Sequence, residues 1–214
     1  MTGPFSTSDP ARPITGEMES ATLQAPAGPV PVIPSHAIKR LNWGCGPRGA
    51  AGWLNSDRQK GPGVDIVCDV RGGLPIPSES LDYAVSVHAM QEVPLEEQVP
   101  VLKELHRVLR PSGVLRLCLP DAERAIRAYL TGERDYFVVP DEDFASLGGK
   151  FVAQILWYGH SRVMYTFDFV EELLLKAGFA RIHRCAYRST RSGHGGITEL
   201  DNRERETLFV EAVK

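Results

Sequence analysis

From about residue 37 onward, the sequence predicts an α/β fold, an open doubly wound sheet of seven strands, mostly parallel. Three observations carry this. Short apolar runs at 38–43, 64–68, 81–87 and 114–119 are partly β-branched and bounded by Gly, Pro or Asp, as are strands buried on both faces. An amphipathic helical pattern separates two of these runs, and strand, helix, strand in succession implies a right-handed parallel crossover. Two last apolar segments, ARIHRCAYR and TLFVEAV, are joined by a loop-like stretch and can pair antiparallel as a hairpin.

The first 36 residues are rich in Pro, Ala, Thr and Ser and end in APAGPVPVIPSH. Each proline removes a donor and biases its predecessor toward extended geometry, so the stretch reads as a disordered or lid-like arm. The first strand then runs into Asn42-Trp43-Gly44-Cys45-Gly46, and a weaker run, WLNSD, follows. Only eight residues, Pro47 to Leu54, separate the second glycine from the acid-bearing segment, too few for the usual crossover helix. In PLEEQVPVLKELHRVLRPSG, Leu95, Val99, Leu102, Leu105, Val108 and Leu109 make one helical stripe, and Pro111-Ser112-Gly113 is expected to stop the helix. Beyond Asp121, AERAIRAYL, KFVAQILWYG and FDFVEELLLKAGF read as further helical segments, the last ending at Gly178. The segment 37–214 is thus expected to form one domain, with an insertion at about 122–165.

Composition narrows the function classes. A net charge of −3 gives no electrostatic reason to expect nucleic acid or an anionic membrane surface as a partner. No apolar run approaches the ~18–20 residues of a membrane span, and the first residues lack the basic and apolar regions of a secretory signal. Cys45, Cys68, Cys118 and Cys185 are far apart, without a C-x-x-C pair, and read as free thiols of a cytoplasmic protein. The six histidines are scattered, so no metal site is expected.

Ligands of open α/β sheets sit beyond the carboxyl ends of the strands. There the glycines let the backbone turn and approach a ligand closely. Asp57 at the end of the second strand can accept both hydroxyls of a ribose. Asp69 at the end of the third can accept from an adenine amino group while the Val70 N–H donates to a ring nitrogen. Glycine, acid and acid on three successive strand tips make an adenosine-shaped arrangement.

The blocks LNWGCGP, GWLNSD, VDIVCDV, LPIPSESLDYAVSVHAMQEV, LKELHRVLRPSGVLRLCLPD and FVEELLLKAGF occur in this order. From about Leu41 to Phe179 the chain resembles the class I S-adenosylmethionine-dependent methyltransferases, in particular a small bacterial group with a GCG first motif. The resemblance implies a Rossmann-like methyltransferase fold with strand order 3-2-1-4-5-7-6, and S-adenosyl-L-methionine bound across the first four strand tips. It explains the short first crossover, which is shared by that group, and the cofactor has no pyrophosphate that requires a helix N-terminus. It places Gly44, Cys45 and Gly46 along the cofactor, Asp57 at the ribose, Asp69 and Val70 at the adenine, and Val87 and His88 beside the methionine portion. Asn42 stands where many such enzymes carry an acid, and is expected to orient a water or the amino group.

Residues for chemistry and for the acceptor are read from the remaining strand tips. Related sequences often have Leu-Glu-His after the fourth strand, where this chain has Met90-Gln91-Glu92. Glu92 is therefore a candidate base, alternatively a helix N-terminal acid. His88 and His160 are the candidate imidazoles. Asp121 is either an acceptor contact or a helix cap. Tyr158, His160, Arg162 and Tyr165 form a candidate acceptor lining, in which Arg162 can grip a carboxylate or phosphate. His194, between glycines, reads as an exposed turn. The expected activity is O- or N-methylation of a small molecule in natural-product or surface-sugar biosynthesis, with a homodimer an open possibility. Two alternatives stand beside it: cyclisation or cleavage of the cofactor, and non-catalytic cofactor binding.

Overall fold

The computed structural model describes residues 39–214; the N-terminal arm, and Ile38 of the first apolar run, lie outside the described residues. Seven strands make one sheet: β1 (Arg40–Trp43), β2 (Leu54–Asp57), β3 (Ile66–Val67), β4 (Leu81–Val87), β5 (Leu109–Pro120), β6 (Ala180–Cys185) and β7 (Thr207–Val213). Their order is β3-β2-β1-β4-β5-β7-β6. Pairing is parallel from β3 through β5, and β7 runs antiparallel to both β5 and β6. This is the predicted doubly wound topology, with the hairpin at its end.

Among the described residues, four α-helices accompany the sheet: α1 (Gln98–Val108), α2 (Ala122–Thr131), α3 (Leu147–Leu156) and α4 (Phe167–Ala177). No helix separates β1 from β2, in keeping with the eight-residue gap. The α1 helix is shorter than its sequence pattern at both ends. Leu95 lies in a preceding 3-10 turn and is exposed, while Val101, Leu102, Leu105 and Val108 form the buried stripe. The helix stops at Val108, ahead of Pro111, because Leu109 is already extended and opens β5. At the far end of the chain, Gly178 closes α4 in the left-handed conformation that its missing Cβ makes accessible.

The two faces of the sheet are covered differently. On one, α1 and α4 pack Leu102, Leu105, Leu173 and Leu174 onto Leu41, Leu81, Leu115, Leu117 and Val210. On the other, Trp53, Tyr83, Val85 and Val114 pack against Ile197 and Leu200. These last two belong to the segment 186–206 between β6 and β7, which takes the place of a helix over this face. Its anchor is Arg116, fully buried on β5, whose guanidinium pairs with Asp201 of the segment (2.6 Å) and Glu211 of β7 (2.7 Å). Arg116 also donates to the Ser189 carbonyl, and Asp201 accepts from the Arg188 N–H. Because every charge in this cluster has a partner, it can be buried without an orphan ion.

Candidate functional site

Beyond the carboxyl ends of β1 to β4 lies a cleft of about 550 Å³, floored by the glycine turn. Gly44 and Gly46 both have positive φ, at 67° and 70°. A Cβ on Gly44 would come within 2.2 Å of the Ala89 Cβ, so the close packing of β1 on β4 requires glycine there. The Gly44 and Cys45 N–H groups donate to the Ser56 carbonyl, and the Gly46 N–H donates to Asp57 (2.8 Å). The other Asp57 oxygen accepts from the Gln59 N–H (2.9 Å). The carboxylate that closes β2 thus fixes the glycine turn and still faces the cleft, with roughly half of its four acceptor positions unused.

Asp69 is placed differently from its sequence expectation. The strand ends at Val67, and Asp69 caps the 3-10 turn Val70–Gly72 by accepting from the Arg71 N–H. Two residues of β3 suffice to pair with β2, and the cap then turns the chain toward the opening. Asp69 lines the cleft with Val70 but is gripped by the Arg71 guanidinium, which also reaches Glu97 (3.1 Å). Those hydrogen bonds hold the Asp69 carboxyl below its ordinary range.

At the tip of β4, Val87, His88, Ala89 and Gln91 border the same cleft. The His88 Nε2 is 2.8 Å from the Thr207 hydroxyl. Burial, followed by the nearby charge of Arg203, lowers the imidazole to about 3. Gln91 donates to the His88 carbonyl (2.7 Å), and its own Oε1 is buried without a hydrogen-bond partner. Glu92 lies at the mouth, 3.5 Å from Arg58. From above, Trp157, His160 and Arg162 complete the wall, and the Arg162 N–H is held by the Gln91 carbonyl.

A second, smaller cavity of about 30 Å³ adjoins the first and shares His88, Gln91, Trp157 and Arg203 with it. Its remaining walls include Asp121, Ala122, Ala125, Tyr136, Ile155, Met164 and Glu206. Asp121 caps α2 by accepting from the Arg124 N–H and is nearly fully buried, so it is a cap that also borders this cavity. Burial raises the carboxyl of Glu206 and the phenol of Tyr136.

Three expected contacts are not brought to either cavity. Asn42 is turned to the other face of β1, where its amide donates to Asn55 (3.0 Å) in a network that also ties Ala50 and Asp65. Tyr158 is exposed and bonded to Asp143. Tyr165 packs inward and donates to Gln98 (2.8 Å). His194 stacks tilted on Tyr83 at 5.0 Å, away from the cleft. Conversely, Arg203, Glu206 and Tyr136 were not singled out by the sequence. In DNRERE the first two look like any solvated charged loop, and no local signal marks them.

The residues present suit S-adenosylmethionine. A wide cleft, a bare glycine turn, a carboxylate at the tip of β2, another on the turn after β3 and an orphaned buried acceptor on Gln91 match a nucleoside joined to an amino acid.

The comparisons with known proteins point the same way. Residues 42–117 match the family model described as a methyltransferase domain. Demethylmenaquinone methyltransferase of Lysinibacillus sphaericus (strain C3-41) is 28% identical over 100 residues, covering 47% of this chain and 42% of that protein. The match thus spans less than half the length of that curated relative. A SAM-dependent methyltransferase from Thermotoga maritima superimposes with a TM-score of 0.50 at 18% identity, over 82% of each chain. One from Archaeoglobus fulgidus does so with a TM-score of 0.51 at 12% identity, over 84% of this chain and 87% of that one. At such identities the structural likeness speaks for the fold. Residues 42–117 thus match a methyltransferase domain, and the strand order is the one that the resemblance to class I S-adenosylmethionine-dependent methyltransferases implied.

Proposed function

We propose that the chain transfers the methyl of S-adenosylmethionine to an oxygen or nitrogen of a small-molecule acceptor. The observation that supports this best is the pair of adjoining cavities meeting at His88, Gln91, Trp157 and Arg203. In this reading the larger holds the cofactor, with Gly44 to Gly46 against its chain, Asp57 at the ribose, Asp69 and Val70 at the adenine, and Val87 beside the methionine half. The smaller receives the reacting end of the acceptor, against the insertion 122–165. When bound, the cofactor supplies a methyl on a positively charged sulfur, and alignment matters more than activation of the leaving group.

A hydroxyl or ammonium acceptor must lose a proton. His88 is a poor base at about 3, and its Nε2 is already engaged with Thr207. Glu92 is held by Arg58 at the mouth. Glu206 borders the smaller cavity, and burial moves its carboxyl toward the working pH, so it is the base of choice here. Arg162 and His160 stand over the larger cleft, where they would orient the acceptor.

Mass spectrometry of the purified protein with S-adenosylmethionine and a panel of phenols, acids and amines tests the reading. S-adenosylhomocysteine is expected only when an acceptor is present, and Glu206→Gln is expected to lower kcat by ~10²-fold or more with the KM for the cofactor little changed. Methylthioadenosine or a cyclic product without acceptor would instead favour a cofactor-cleaving enzyme.

A further inference from the structure

We infer that the acceptor is an anion and that Arg203 is the residue that selects it, by binding a carboxylate or phosphate group in the fork of its guanidinium; this rests on the methyl-transfer reading above. Arg203 borders both cavities, so its side chain lies where acceptor and cofactor must meet. Its backbone has φ of 52°, a conformation unfavourable for an arginine and one that persists only where the surroundings impose it. Those surroundings are visible. Two residues earlier, Asp201 is locked to buried Arg116 by a two-bond ion pair. Three residues later, the Glu206 carbonyl accepts from the Asp121 N–H, and the Glu206 N–H closes a turn onto the Arg203 carbonyl. Arg203 is therefore presented on a short turn fastened at both ends.

The guanidinium has one long ion pair, through Nε, and its terminal nitrogens are open. It lies over the Trp157 ring, 5.0 Å from the centroid, a cation–π contact that restrains it. The nearest carboxylate oxygen belongs to Glu206, 3.7 Å from Nε, too long for a hydrogen bond, and the terminal nitrogens have no acceptor among the described residues. Two other cleft arginines are taken, Arg71 by Asp69 and Glu97 and Arg58 by Glu92, while Arg162 borders the larger cleft but not the smaller cavity. A cationic sulfur must also approach this region, so a guanidinium with open terminal nitrogens beside it calls for an anion from the remaining reactant. A planar oxyanion held bidentately on Arg203 would place the rest of the acceptor toward Glu206 and the smaller cavity.

Paired probes test this on the full chain saturated with S-adenosylhomocysteine. Titration calorimetry compares 4-hydroxybenzoate with 4-hydroxybenzamide and phenyl phosphate with phenol, so that carboxylate and phosphate are separated. At least one anion is expected to bind tenfold or more tighter than its neutral partner. Arg203→Asn, which tolerates the left-handed backbone, is expected to abolish that preference, and Arg203→Lys to retain part of it. Absence of any anion preference in the unaltered protein overturns the inference, as does loss of the preference in Arg162→Ala but not in Arg203→Asn. Tenfold weaker S-adenosylhomocysteine binding in Arg203→Asn would assign the guanidinium to the cofactor carboxylate and also overturn it. If the unaltered protein binds no S-adenosylhomocysteine, the underlying methyl-transfer reading fails instead.

Discussion

Single side chains in this cleft do more than one job, and that shapes what their removal will show. Asp57 fixes the glycine turn through Gly46 while presenting its free acceptor positions to the opening, so its loss disturbs loop and ligand together. Asp69 is a cleaner probe, because its partners are Arg71 and the cap of one short turn. Asp69→Ala is expected to weaken S-adenosylhomocysteine binding tenfold or more, ~1.4 kcal/mol, from a micromolar starting value. Titration calorimetry checks it, and an unchanged affinity would remove Asp69 from the adenine contacts. Arg71→Ala, which frees the carboxylate, is the informative companion: tighter binding there would mean that the guanidinium competes with the ligand.

Among the elements, the segment 186–206 is the least ordinary. It covers the sheet face that carries Trp53, Tyr83 and Val85, and it is riveted through Arg116. Arg116→Met removes the cation and leaves Asp201 and Glu211 buried beside each other without compensation. Breaking a buried ion cluster in this way costs ~3–5 kcal/mol, more than exchanging all its members for apolar groups. Urea denaturation is expected to show a loss of that size, and limited proteolysis to cut first within 186–206. A loss under ~1 kcal/mol would mean that the segment is held mainly by Ile197 and Leu200.

At the scale of the whole molecule, His88 contributes a pH dependence to stability. Its folded-state value near 3 lies below the ordinary 6.5, so below about pH 6.5 the unfolded chain binds more protons than the folded one. Stability therefore falls from that pH toward 3 and gains nothing from this group above it. In His88→Phe the fall in Tm between pH 6.5 and 4 should be shallower, as scanning calorimetry can show; an equal slope would mean that His88 is not buried neutral. Much of this architecture could be read before any coordinates, because strand runs, the α1 stripe and the Gly178 stop are local patterns imposed by burial and backbone geometry. The glycine turn and Asp57 were legible for the same reason: strand tips are marked in sequence, whereas Asp69 lies two residues beyond its strand as the cap of a 3-10 turn. Arg203 and Glu206 were not, since only the fold of the 186–206 segment brings a charged loop back over the tips of β4 and β5. Nor could Asn42 be assigned its place under the turn, which depends on Asn55 thirteen residues away. The double duty of that returning segment sets a rule for anyone redesigning acceptor choice. Exchanging it wholesale would strip the roof from half the sheet, so new specificities are better sought in α2 and α3, whose surfaces can be rewritten while the rivet at Arg116 stays in place.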